Sequence, residues 1–208
     1  MKTNDYGRSM IEMLGVLAIV GILSVGSLTG YSNAMLKYKT NRLSSETLEI
    51  IVNTRNAYLK QRNYQNISLD LLSKVGAIPD NMYNRPGYVS EIYNAFNGRV
   101  KVYESFNGGT LPLAFEIYNT GISKKGCIAL ATFDWGNDPT SGFTALYIGE
   151  GDISSARMSN IVLGSPSDEA AGIYTVGTAD NSIPLDVLRA TNACYCTDNN
   201  CTVGFKYR

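Results

Sequence analysis

Four cysteines and one glutamate carry most of the chemistry open to this 208-residue chain. Cys127, Cys194, Cys196 and Cys201 are even in number, and the last three crowd the C-terminal end. Oxidised, they make two disulfides, the usual state in an exported chain. Reduced, four thiolates can hold zinc, but Cys-x-Cys-x4-Cys lacks the paired Cys-x2-Cys spacing of zinc ribbons. Disulfides are therefore the expectation. Asp134-Trp135-Gly136-Asn137-Asp138 offers oxygens to calcium through Asp134 and Asp138, yet the ligand pattern is incomplete and a polar turn is the simpler reading. No cofactor is expected. The chain has no histidine, which removes histidine triads and histidine metal sites. No nucleophile–base pair or phosphate loop takes their place, so the chain does not read as an enzyme. The 18 basic residues balance 18 acidic ones, and nothing points to nucleic acid as a partner.

Glu12 is the second feature. It stands at the front of an oily run, with only Ser24 and Ser27 polar between Met13 and Leu28. A carboxylate at membrane depth costs about 2.5–3.5 kcal/mol, so such residues have a reason to be there. The brief polar leader Met1 to Gly7 ends in a small residue placed before the oily run, whereas a secretory signal places its cleavage site after it. Cleavage after Gly7 would make Arg8 the first residue, with a new α-amino group about one helical turn from Glu12. Between staggered neighbouring helices, that amine of one subunit would pair with Glu12 of the next.

The element that must carry Glu12 is long. No proline occurs before Pro79, and Tyr31, Met35, Tyr38, Leu48, Val52 and Leu59 recur at helical spacing. Lys37, Lys39, Asn41, Arg42, Glu46 and Glu49 lie between them. One helix over residues 8–61 would extend roughly 80 Å. Its front, with a transmembrane part at 13–30, is apolar all round, and its rear is amphipathic. Gly15, Gly21, Gly26 and Gly30 weaken that front in water but allow close helix contact in lipid.

Gly7-Arg8-Ser9-Met10-Ile11-Glu12-Met13-Leu14 resembles the processing signal of type IV pilins and type II secretion pseudopilins. The resemblance implies cleavage between Gly7 and Arg8 by a prepilin peptidase, N-methylation of Arg8, and pairing of Glu12 with a neighbour's terminal amine during assembly. Arg8 stands where the family usually has phenylalanine, methionine or leucine, and Thr29 stands near the place of the helix proline common in type IVa pilins. Further along, Gly76-Ala77-Ile78-Pro79 and Asn94-Ala95-Phe96 resemble the stretch that follows the long helix in type IVb pilins and PilS-like thin-pilus prepilins.

Residue patterns outline the rest. Ser68 to Val75 reads as a short helix with Ser68 as N-cap and Gly76 as stop. Arg99 to Phe106 and Leu113 to Tyr118 alternate around Asn107-Gly108-Gly109 and read as a hairpin. A helix over Ser123 to Thr132 would be capped by Ser123. Phe143 to Ile148, Ile173 to Val176 and Thr202 to Tyr207 read as further strands of an antiparallel sheet. With Asp198 and Asn199 as turn residues, Cys196 would face Cys201 across a hairpin, leaving Cys127 for Cys194. The resemblance also implies a disulfide from a mid-domain helix, where Cys127 lies, to a cysteine just before the last strand, a role open to Cys194 or Cys196. Cys127–Cys194 with Cys196–Cys201 is favoured, and the other two connectivities stay open.

The expected fold is α+β, the type IV pilin fold: a long N-terminal helix packed on an antiparallel sheet, with a disulfide-bracketed C-terminal region. The expected organisation is a leader at 1–7, a helix at 8–61 and a globular domain at 62–208, its first part to residue 98 a connecting loop and 99–208 the sheet and bracketed region. The expected function is that of a major pilin, held in the bacterial inner membrane as precursor and then exposed in a cell-surface filament. Its expected partners are copies of itself, a prepilin peptidase, and an inner-membrane assembly platform with its ATPase. A minor pilin and a type II pseudopilin are the near alternatives. A membrane-anchored periplasmic binding module or enzyme is the alternative of another class.

Overall fold

The computed structural model describes residues 6–83, 91–136, 140–177, 183–197 and 199–208, with the backbone alone for residues 6–9. The chain divides into two compact units, Met1–Tyr38 and Lys39–Arg208. Helix α1, Tyr6–Tyr58, supplies all of the first unit's described structure and the opening of the second. No proline interrupts it.

The second unit is a helix on a sheet. Its elements are α1 from Lys39 onward, α2 (Leu69–Lys74), a 3-10 turn (Asp80–Met82), β1 (Ile92–Tyr93), β2 (Arg99–Ser105), β3 (Ala114–Ile122), α3 (Lys124–Ala131), β4 (Phe143–Glu150), β5 (Ile173–Thr175), α4 (Val187–Ala193) and β6 (Cys201–Tyr207). All strand pairs are antiparallel, in the order β1-β2-β3-β6-β4-β5. The C-terminal strand is thus central, inserted between β3 and β4.

One large core lies between α1 and the sheet. Leu43, Ile50, Ile51 and Tyr58 of α1 meet Phe115 and Ile117 of β3, Phe143 and Leu146 of β4, and Val203, Phe205 and Tyr207 of β6. The buried helix face runs Thr40, Leu43, Thr47, Ile50, Ile51, Thr54 and Tyr58, at spacings of three and four. This corrects the apolar stripe expected from the sequence: Val52 and Leu59 are exposed, as are Tyr31 and Tyr38 in the first unit, and Glu46 is buried. Three of the seven residues of the buried face are threonines, which a hydrophobicity pattern does not count as core. Asn119 Nδ2 of β3 donates to Thr47 Oγ1 at 3.2 Å, which lets one such hydroxyl sit against the sheet.

A second, smaller core covers the opposite face of the sheet. There Tyr118, Ala145 and Ile173 receive Ile153 and Met158 from the segment after β4. Every residue of β6 is therefore buried, as is nearly all of β3. Gly204 is required in β6 because a Cβ there would collide with the Tyr118 ring. The local signals at α2 hold: Ser68 Oγ accepts from Leu71 N at 3.2 Å, and Gly76 follows with φ +70°. The β2–β3 hairpin forms with a longer connection, residues 106–113.

Candidate functional site

In the first unit, the described surface of α1 is a cylinder of exposed apolar side chains. Met10, Ile11, Leu14, Leu17, Val20, Ile22, Leu23, Val25 and Leu28 are all more than half exposed, and none of the most apolar 18-residue window is buried. The length and composition suffice to cross a membrane. Its hydroxyl groups are already satisfied along the helix. Ser24 Oγ donates to Val20 O at 2.7 Å, Ser27 Oγ to Leu23 O at 2.7 Å, and Thr29 Oγ1 to Gly26 O at 2.9 Å. The outward face is thereby left to hydrocarbon, the requirement for a segment in lipid. Nothing within 4 Å meets a Cβ built on Gly15, Gly21, Gly26 or Gly30, so these positions are open to another helix. Glu12 projects from this surface as an exposed residue, and Gly7 and Arg8 lie in the helix by backbone.

In the second unit, both disulfides converge on the start of β6. Cys127, fully buried on α3, joins Cys194 just past α4, with Cα atoms 5.9 Å apart and a sequence separation of 67. Cys196 joins Cys201, the first residue of β6, with Cα atoms 5.3 Å apart. Helix α3 starts where Ser123 Oγ accepts from Gly126 N, and α4 where Asp186 Oδ1 accepts from Arg189 N. Helix α4 lies outside the elements expected from the sequence, although Asp186 before Val187-Leu188 is its local signal. Residues 194–196 are not a strand, so Cys196 does not face Cys201 across a hairpin as expected. Both edges of β6 are taken by β3 and β4, and the short disulfide instead ties a loop to the strand's end. The loop is fastened again where Glu150, at the end of β4, accepts from Thr197 N at 3.2 Å and from the Thr197 hydroxyl. Those bonds hold the Glu150 carboxyl below its ordinary pKa.

Charge is buried on the outer face of the sheet, where Glu116 of β3 stands directly opposite Lys206 of β6 and both are fully enclosed. The Glu116 carboxylate accepts from Ser105 Oγ at 2.6 Å, Arg157 N at 3.0 Å, Met158 N at 3.1 Å and the Tyr118 hydroxyl. Lys206 Nζ donates to Met158 O at 2.6 Å, Phe106 O at 2.7 Å and Ser159 O at 3.3 Å. Burial lowers the Lys206 pKa to about 8 against the opposing pull of Glu116, and burial with the neighbouring Glu116 charge pushes the Tyr118 hydroxyl far up. The pair is closed to solvent and bonded to backbone, so it fastens the 153–159 segment to the sheet rather than transferring protons. Sequence reading passed over both residues because each takes a polar slot in an alternating strand, where exposure is the usual expectation.

The aspartate turn is local. Asp134 Oδ1 accepts from Gly136 N at 3.0 Å, the geometry of a polar turn, and Asp138 lies outside the described residues. Among the described residues no three histidine, cysteine or acidic groups gather as a metal set would. Trp135 instead serves the core: its Nε1 donates to Leu130 O at 2.8 Å, and its ring lies 4.0 Å from that of Phe205.

A bare apolar helix that continues amphipathically, an antiparallel sheet with the last strand at its centre, and a crosslinked C-terminal region together define a type IV pilin fold. The chain matches the family model "PilS N terminal" over residues 37–206 and belongs to that family. It is 26% identical over 198 residues to the "Major structural subunit of bundle-forming pilus" of Escherichia coli O127:H6 (strain E2348/69 / EPEC), covering 95% of this chain and 92% of that one. In structure it is similar to TcpA, a type IV pilin from Vibrio cholerae El Tor biotype, with a TM-score of 0.58 at 15% identity, over 82% of this chain and 99% of the other. The type IV b pilin from Salmonella typhi gives 0.52 at 16% identity, over 81% and 98%. These two likenesses are of fold.

Proposed function

We propose that this chain is the major structural subunit of a type IVb-like pilus. The carrying observation is the apolar surface from Met10 to Leu28, which nothing in the described residues covers. Burial of such area stabilises by about 25 cal/mol per Å², so the surface must be satisfied outside the chain. The inner membrane satisfies it before assembly, and the same helices of neighbouring copies do so in the filament. Membership of the PilS N-terminal family and the near full-length similarity to a major pilus subunit support this reading.

In this scheme a prepilin peptidase cuts between Gly7 and Arg8, and the new Arg8 amino group is N-methylated. Glu12 of an incoming subunit pairs with the terminal amine of its neighbour, which offsets the cost of a carboxylate at membrane depth and selects the axial register. An inner-membrane platform and its ATPase lift each subunit, and the second units form the extracellular surface. The role is structural and needs no catalytic group.

The test is the intact mass of the protein in sheared filaments, with its abundance. A chain beginning at Arg8 with one added methyl, and dominating the preparation, is the expected result. A chain beginning at Met1, or one present only in traces, overturns the major-subunit reading.

A further inference from the structure

We infer that the cleft beside Tyr195 is a binding site for a neutral saccharide. Tyr195 is 88% exposed, the most exposed large side chain among the described apolar and aromatic residues. A ring that wet gains nothing for the core. Its backbone is nonetheless held on both sides, since Cys194 is crosslinked to α3 and Cys196 to the start of β6. Thr197 is fastened to Glu150 immediately after. An exposed aromatic on an immobilised loop loses little freedom on binding, which is what a contact residue needs.

Tyr195 shares its cleft with the half-buried Tyr147 of β4, with Glu169, Arg189 and Asn192, and with the edge of Tyr174 of β5, whose ring belongs to the main core. The cleft measures about 460 Å³, room for a disaccharide-sized ligand and within the ~300–1,000 Å³ span of small-molecule sites. The open face of Tyr195 carries negative quadrupole density that suits the C–H face of a pyranose ring. The polar residues suit its rim: carboxylate oxygens accept from hydroxyls, guanidinium and amide N–H groups donate to them, and the side-chain amide of Asn192 does both.

The charge balance selects the class. Arg189 Nη2 lies 2.6 Å from Glu169 Oε1, so the one cation of the lining is already neutralised by the one anion. Phosphate, sulfate or a sialic acid would have to displace Glu169 to gain it. A neutral sugar uses both groups as they stand. Binding of this kind needs no filament and is read on single chains, so its failure leaves the proposed pilus role untouched.

The experiment is saturation-transfer NMR on the full chain, held in a detergent without a sugar headgroup. The probes are the methyl glycosides of glucose, galactose, mannose and N-acetylglucosamine, with lactose, maltose and sialyllactose. The expected result is millimolar binding of at least one neutral probe, weakened tenfold or more by Tyr195→Ala and by Asn192→Ala but kept by Tyr195→Phe. The exposure of Tyr195 leaves the fold intact in these variants, checked by the urea midpoint from Trp135 fluorescence. Absence of binding by every neutral probe overturns the inference. So does binding that Tyr195→Ala leaves unchanged, or sialyllactose binding more than tenfold tighter than lactose. An assembly defect in Tyr195→Ala with unaltered sugar binding also overturns it, and places a second copy of the chain in the cleft.

Discussion

Removing the Cys127–Cys194 crosslink should cost the second unit far more than removing Cys196–Cys201, although both end on the same short loop. The long bond spans 67 residues and the short one 5. In the chain-entropy model the first restricts the unfolded chain by about 4.4 kcal/mol and the second by about 2 kcal/mol. Native-state packing adds only a little to the gap, because Cys127, Cys194 and Cys201 are all fully buried in the main core and Cys196 alone is partly exposed. The test is Cys127→Ala/Cys194→Ala against Cys196→Ala/Cys201→Ala, as full chains in detergent, unfolded in urea. Trp135 reports cleanly, being the single tryptophan, 3% exposed and packed at a tilt on Phe205. With an urea slope of about 2 kcal/mol per molar, the first pair should lower the midpoint by about 2 M and the second by about 1 M. Equal shifts, or a larger one for the short bond, would refute the loop-entropy reasoning.

Three further outcomes are expected. Lys206→Met takes the opposing buried charge from Glu116 and the donor from the Phe106, Met158 and Ser159 carbonyls, and should cost about 3–5 kcal/mol, while Lys206→Met/Glu116→Gln should recover part of it; additive losses in a double-mutant cycle would mean the two charges do not act as a pair. Stability should fall at alkaline pH: burial raises the Tyr58, Tyr64, Tyr103, Tyr118, Tyr174 and Tyr207 pKa values, so their contribution is complete below pH 10 and is lost as pH climbs through the raised values. Lys206 acts the other way between about pH 8 and 10.5, because the folded state there binds fewer protons than the unfolded one. The urea midpoint should therefore hold or rise slightly from pH 8 to 10 and drop beyond, and a fall that begins at pH 8 would contradict both signs. Glu12→Ala should leave membrane insertion and the urea midpoint unchanged but reduce filament yield at least tenfold; normal filaments in normal amount would defeat the pairing of Glu12 with a neighbour's amine.

What the amino-acid sequence determined by itself are the features whose causes are local. The oily run behind Glu12 is membrane-grade because of composition alone. The α2 boundaries follow from Ser68 and Gly76, and α3 from Ser123, since a cap needs only its own first or last turn. Alternation placed the main strands, because a strand's two faces differ wherever one is wet. Tertiary structure decided the rest, because the deciding partners are far apart in the chain. That Thr47 sits on the buried side of α1 rests on Asn119, 72 residues away, which bonds its hydroxyl. The polar alternation of Glu116 and Lys206 signalled solvent, yet the segment after β4 folds over that face and encloses both. A hairpin at Cys196 does not form for the same reason: β6 makes its hydrogen bonds with β3 and β4, and no local pattern near Cys201 records that both of its edges are already taken.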